Sequence, residues 1–266
     1  MNLRKCIFVN NDCYKAGKII KPKGVMWHST AADNPYLKRY VQPDDGKLGY
    51  NPHQNHWNRG GIQKCVHAFI GKLKDGTIAT YQTLPWDRRG WHCASGSKGS
   101  ANNTHISFEI CEDGLTDPVY FKAVYKEAVE LTAYFCKIYN LDPMEDGVII
   151  DHREGNKRGL ASNHGDVQHW FKIHGKTMDD ARSDVAYYME HGCHKGEEET
   201  EMRYNTLGDL KADKKFGDAY LPTIEKLMAN GILKGKGGDG DETILDLGED
   251  AIRVMVILDR NGIFGE

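Results

Sequence analysis

The sequence predicts an α/β fold, a mixed central sheet flanked by helices, followed by a small helical C-terminal domain. Three observations carry that expectation. Two apolar runs in CVHAFIGKLKDGTIATYQTLP flank Asp75 and Gly76, a strong short hairpin signal. The segment THISFEIC alternates, with Ile106, Phe108 and Ile110 on one side and Ser107, Glu109 and Cys111 on the other. Residues 118–139 place Phe121, Val124, Ala128, Leu131, Phe135 and Ile138 near helical spacing, the stripe of a long helix packed on a sheet.

The remaining elements follow in order. KGVMWHST has the β-branched and aromatic character of a short buried strand, with His28 at its exit. After the hairpin, THISFEIC and the long helix comes DGVIIDHREG, a short apolar strand whose end carries His152. A further helix, TMDDARSDVAYYM, opens with Thr177 as N-cap and Asp180 three residues on. Strands interleaved with helices, one pair forming a hairpin, argue for a mixed sheet with helices on it.

The texture changes near the C-terminus. Residues 1–192 are rich in His, Trp and Asn, whereas residues 204–266 contain no His, Cys or Trp. Between them, 193–203 is charged and without apolar periodicity, as a linker is. In the second domain, AYLPTIEKLMANGILKG puts Leu221, Ile224, Leu227 and Met228 on one helix face with Gly231 as its stop. LDLGEDAIRVMVILDRNGIFG repeats the scheme with Ile252, Met255, Val256 and Gly262. So short a pair of helices buries little core and calls for a partner, a second copy or docking.

Composition narrows the function. At 266 residues the chain has room for one sizeable domain and a small one. A net charge of -3 supplies no basic field, so no nucleic-acid partner is expected. No apolar run approaches the roughly 18 residues that span a bilayer, and MNLRKCIFVNNDCYKAG lacks a signal-peptide h-region, so no membrane partner and synthesis in a cytoplasm are expected. The seven cysteines form no metal or disulfide pattern and read as free thiols, several of them buried.

The histidines carry the lead. His28 and His152 at two strand ends, with Asp166 in the loop ASNHGDVQHWF, could converge at one edge of the sheet. Two His and one Asp with an open fourth position suit a catalytic zinc, and Glu109 on the polar face of a neighbouring strand could take a proton from water. Plainer roles stay open: a hydrogen-bonded strand-end His28, a surface His152 paired with Glu154, a solvated Glu109. His53, His56, His105, His169, His174, His191 and His194 read as structural or solvent-facing residues of loops and helix ends.

The series GVMWHST, VHAFIGKLKDGTIATYQTLP, RGWHCASG, NNTHISFEICED and DHREGNKRGLASNHGDVQHWF resembles the zinc-dependent N-acetylmuramoyl-L-alanine amidases of the type 2 family. Those enzymes share a fold with T7 lysozyme and the peptidoglycan recognition proteins. The resemblance covers residues 1 to about 190 and is nearest to phage endolysins and prophage amidases. It implies zinc on His28, His152 and Asp166, an oxyanion donor at His164, and Glu109 handling the attacking water. It also puts His67 and His92 near the substrate groove. The chain departs from the pattern in two places. The interval from His152 to Asp166 carries an apparent insertion, REGNKRGLAS, which leaves His164 as an alternative third ligand. Before His67, where T7 lysozyme has a tyrosine, stands Val66.

The resemblance implies a bacteriolytic hydrolase that cleaves the amide between N-acetylmuramic acid and L-alanine of peptidoglycan, acting on the wall after release from the cell. The alternatives are a non-catalytic peptidoglycan-binding protein of the same fold and a zinc endopeptidase acting within the stem peptide. The second domain resembles, more distantly, the S-layer homology repeats that end some wall-lytic enzymes, implying a cell-wall polymer as its ligand. GEEETEM ends at Met202, and Glu197-Glu198 can be encoded as a ribosome-binding sequence. An internally initiated C-terminal fragment would then assemble with the full chain as a hetero-oligomer; a homo-oligomer is the simpler form.

Overall fold

The computed structural model describes residues 1–196, 203–234 and 244–265. It divides into two compact units, Met1–Lys195 and Gly196–Glu266. Most of the expected linker, with Glu197, Glu198 and Met202, lies outside the described residues.

The first unit is built on six strands: β1 (Leu3–Lys5), β2 (Gly24–Ser29), β3 (Ala68–Lys72), β4 (Ile78–Gln82), β5 (His105–Ile110) and β6 (Ile149–Asp151). Their order across the sheet is β1-β4-β3-β5-β2-β6. The β3–β4 hairpin is antiparallel and every other pairing is parallel, so the sheet is mixed as the sequence predicts. Gly76 turns the hairpin at φ +87°, a conformation that glycine adopts without Cβ strain. Gly24 is fixed by crowding instead: a Cβ there would lie 2.4 Å from the Val148 carbonyl oxygen.

One face of the sheet is covered by helices. α2 (Pro118–Tyr139) starts where Asp117 accepts the N–H groups of Val119 and Tyr120, with Pro118 in the first turn, and ends at Asn140 in the left-handed region. Its Phe121, Val124, Ala128, Leu131 and Phe135 join Ile106, Phe108, Ile110 and Trp27 in the main core. Ile138, placed on that stripe by spacing, is 45% exposed. α4 (Gln168–Ile173) and α5 (Met178–His191) complete this layer, α5 opening with the expected Thr177–Asp180 capping box.

The opposite face carries loops, the short helices α1 (Asp12–Lys15) and α3 (His152–Lys157), and two smaller apolar clusters around Phe69 and Met26. All seven cysteines are free and five are buried.

The second unit pairs its helices α6 (Leu207–Ala212), α7 (Gly217–Ala229) and α8 (Glu249–Arg260) with a two-stranded antiparallel sheet, β7 (Arg203–Thr206) and β8 (Ile244–Gly248). The sequence reading holds only the helices. LDLG, read there as the approach to a helix, is strand, with Leu245 and Leu247 packed on the small core. Ile224, Leu227, Ile252 and Val256 are buried in that core as spacing predicts. Among the described residues no helix is long and apolar enough to cross a membrane.

Candidate metal centre

Three parallel strands, β5, β2 and β6, end on one edge of the sheet, the place where open α/β sheets bind ligands. In the β2–β5 register His28 stands beside Glu109, so their side chains leave the same face. Asp151 ends β6, and its Oδ1 accepts the Glu154 N–H at 2.7 Å, capping α3. His152 therefore opens a helix rather than closing a strand. Arg182 of α5 holds that helix down, bonding Glu154 through two contacts of 3.0 Å and the Ile149 carbonyl at 2.7 Å.

Asp166 reaches the same point from its loop. Its Oδ2 lies 2.8 Å from His28 Nδ1 and 3.0 Å from His152 Nδ1. The ligand atoms of the three residues fall within 4.8 Å of one another, a set able to hold a metal ion. The next residue is strained: Val167 is fully buried at φ +54° and ψ -41°, unusual for a β-branched side chain. Its N–H donates to Ser29 Oγ at 3.1 Å, so β2 holds both His28 and the backbone that follows Asp166.

Burial sets the electrostatics. It pushes the His28 imidazole below its ordinary pKa against the opposing pull of Asp166. Asp166 is itself part-buried, yet the hydrogen bonds from His152 and His28 hold its carboxyl below the usual carboxylate range. Glu109 is raised well above that range, by burial first and then by the charges of Asp166 and Glu112, with Lys64 opposing. Glu109 Oε2 is buried without a hydrogen-bond partner among the described residues. An unpaired buried carboxylate oxygen is costly, and such atoms mark places where a ligand or reacting group belongs.

A cleft of about 450 Å³ opens over this cluster, lined by Glu109, His152, Asp166, His92, Ser162 and His164. Its far wall carries Arg39, Tyr40, Trp57, Lys64 and Trp91. His92 Nδ1 stands 2.9 Å from His28 Nε2, so His92 supports the His28 ring and borders the cleft at once. His164 is exposed at the rim, its ring centroid 4.7 Å from that of His152. His67, expected near the groove, lies beneath it and is 0% exposed. The Ser107 N–H donates to His67 Nδ1 at 3.0 Å, and His67 Nε2 bonds the Arg88 carbonyl at 2.7 Å, leaving neither nitrogen for a ligand. The other histidines stay outside the cluster. His105 heads β5, bonded to the Gly147 carbonyl, His174 stacks on Phe121, and His194 pairs with Glu130.

A metal-competent triad, a half-buried carboxylate beside it and an imidazole at the rim form the equipment of a hydrolase that activates water. The sequence profile of N-acetylmuramoyl-L-alanine amidase matches residues 18–167, more than half of the chain and a span that contains every one of these groups. The chain belongs to the N-acetylmuramoyl-L-alanine amidase family. As a member it is an amidase whose substrate is peptidoglycan. A comparison with curated protein sequences finds no match.

Among solved structures, the amidase is similar to the PlyG catalytic domain at 20% identity and a TM-score of 0.51, covering 71% of this chain and 96% of that one. PlyL follows at 19% identity and 0.48, covering 70% and 96%. The Staphylococcus aureus hydrolase AmiA in complex with its ligand follows at 18% and 0.48, covering 72% and 84%. At such identities the PlyG likeness is one of fold. Sequence reasoning missed the amidase's Ser29, Ser162 and Asp151, short polar residues whose roles come from neighbours distant along the chain. It also missed Trp57, Lys64 and Arg39 of the cleft wall, which carry no spacing signal.

Proposed function

We propose that this amidase is zinc-dependent, cuts the bond between the lactyl group of N-acetylmuramic acid and L-alanine, and works as a phage or prophage endolysin. The observation that carries the reading is the meeting of His28, His152 and Asp166 beside Glu109, whose buried Oε2 has no hydrogen-bond partner among the described residues. Two imidazoles and a carboxylate are a donor set that suits zinc, which when bound polarises a carbonyl and makes water a better nucleophile near neutral pH. Glu109 accepts the water's proton and returns it to the departing amine, a task helped by a carboxyl that burial raises above the usual carboxylate range. His164 donates to the oxygen of the scissile carbonyl as negative charge develops there, a contact worth about 3–4 kcal/mol in the transition state. His92 braces His28 from behind.

Mass spectrometry of peptidoglycan digested by the purified protein, with metal analysis of the same sample, tests this. New L-alanine amino termini and one zinc per chain are expected. Cleavage within the stem would make the protein an endopeptidase, and retention on the wall without products would make it a recognition protein.

The second unit is assigned by this reading to a cell-wall polymer or to self-association. Val254, Ile257 and Ile263 are more than half exposed there, apolar surface on and just beyond α8.

A further inference from the structure

We propose that Ser162 is a positioning residue that fixes two functional imidazoles at once, His152 and His164. The inference rests on the zinc reading above and assigns a role that the triad and Glu109 do not cover.

The argument is a count of protons. Both His28 and His152 turn Nδ1 toward Asp166, so Nδ1 is the metal-facing nitrogen of each ring. An imidazole that ligates through Nδ1 carries its proton on Nε2. His152 Nε2 stands 3.1 Å from Ser162 Oγ, which is placed to accept that proton. A hydroxyl offers one donor and two lone pairs. The Ser162 proton then has two destinations, His164 Nδ1 at 3.0 Å and the Cys93 carbonyl at 3.4 Å. The nearer is His164, and the Cys93 carbonyl already accepts the Ser162 N–H at 2.9 Å. With Nδ1 of His164 accepting, its proton sits on Nε2, the tautomer that can donate to an oxyanion. One hydroxyl thus sets the tautomer of a metal ligand and of the residue that meets the developing charge.

The serine is held firmly enough for the task. Its backbone bond to Cys93 is one of three that join 159–162 to 93–101, the others being Lys98 N–H to Gly159 O at 2.8 Å and Ala101 N–H to Leu160 O at 2.9 Å. Gly96 packs against Gly159 so closely that a Cβ would stand 2.4 Å from its carbonyl carbon. Partners that orient metal-bound histidines typically contribute about 10–100-fold in metal affinity or activity.

The test uses the full-length protein as Ser162→Ala and Ser162→Thr, with His28→Ala and His164→Ala alongside. Zinc affinity is read by competition with a chelator, and kcat and KM on a soluble muramoyl peptide. Nitrogen-15 spectra of histidine-labelled, zinc-loaded protein report which ring nitrogen of His164 bears hydrogen. Ser162→Ala is expected to lower zinc affinity and kcat by about 10–100-fold each, with KM within about twofold. Ser162→Thr keeps the hydroxyl and should recover most of both. In the His164→Ala background, Ser162→Ala should still weaken zinc but cost less in kcat. His164 should carry its proton on Nε2 in the wild type and lose that preference in Ser162→Ala.

Wild-type zinc affinity and kcat in Ser162→Ala, a Thr variant as impaired as the Ala variant, or a wild-type His164 protonated on Nδ1 alone would each overturn the proposal. If His28→Ala abolishes zinc binding while Ser162→Ala leaves it untouched, the serine's role fails and the metal reading stands. If the wild type binds no zinc, both fall.

Discussion

Acidification should destabilise the amidase through His67, and the size of the effect follows from the surroundings of that ring. Burial holds His67 at about 4, against the pull of the Arg88 carbonyl, Ser107 and Asp87, whereas a histidine in the unfolded chain titrates near 6.5. The fold keeps the ring neutral chiefly by burying it, and its Nδ1 accepts the Ser107 N–H. A folded-state value below the unfolded one means that the unfolded chain binds more protons between the two. Stability is therefore full above about pH 6.5 and falls as pH drops toward 4. The whole span is worth about 3 kcal/mol, of which about 2 kcal/mol is already lost at pH 5. Every tryptophan of the chain lies in the first unit, so urea unfolding followed by tryptophan fluorescence reports on that unit. The comparison is with His67→Asn, whose side-chain oxygen can still accept the Ser107 N–H. At neutral pH the variant should be weaker by about 1–3 kcal/mol, for the Arg88 carbonyl loses its donor. Its deficit should shrink by about 2 kcal/mol at pH 5. Two stabilities that fall in parallel from pH 7 to pH 5 would refute the account.

Glu109→Gln should keep its zinc and lose about 10²–10⁴ in turnover, measured by metal analysis and muropeptide release, because an amide cannot take the water's proton. His164→Ala should keep zinc and lose turnover, whereas Asp166→Ala should lose the metal; zinc content reversed between the two would exchange their roles. Gly96→Ala forces a methyl against the Gly159 backbone and should cost about 1–3 kcal/mol in the same fluorescence assay. With a C-terminal tag on the native gene, a short product beginning at Met202 should accompany the full chain and vanish in Met202→Ile; a single band in both removes the internal start.

Much of the sheet edge is legible in the sequence because strand alternation is a rule about faces. Ser107, Glu109 and Cys111 leave the face opposite Ile106, Phe108 and Ile110, and His28 is recognisable as a strand-end residue before any coordinates. Alternation says nothing of depth, which is why His67 is legible as a site neighbour but not as a buried ring with both nitrogens spent. Ser162 is illegible for a different reason. A lone loop serine has no pattern, and its meaning comes from His152, ten positions back, and from Cys93, on a loop far earlier in the chain. The strand β8 of the second unit escapes because LDLG leads directly into α8, and an apolar alternation of so few residues cannot be told from the first turn of a helix.

From His152 to Asp166 the chain folds back on itself before it reaches the site. Six of the residues form α3, whose Gly155 faces Met26 so closely that a Cβ would stand 2.7 Å from its Cε. The helix ends in a glycine-closed turn: Gly159 lies at φ +77°, and the Leu160 N–H reaches back to the Gly155 carbonyl at 2.8 Å. The chain is thereby reversed and joined to 93–101. What remains, Ser162 to Asp166, is a short return path whose far end is fixed where the Val167 N–H meets Ser29. One end of that path is bonded to the Cys93 carbonyl and the other to Ser29 of β2. Asp166 is thus held by its two flanks, and the backbone strain at Val167 is the local cost of bringing a loop carboxylate to the imidazoles of His28, at a strand end, and His152, at a helix start.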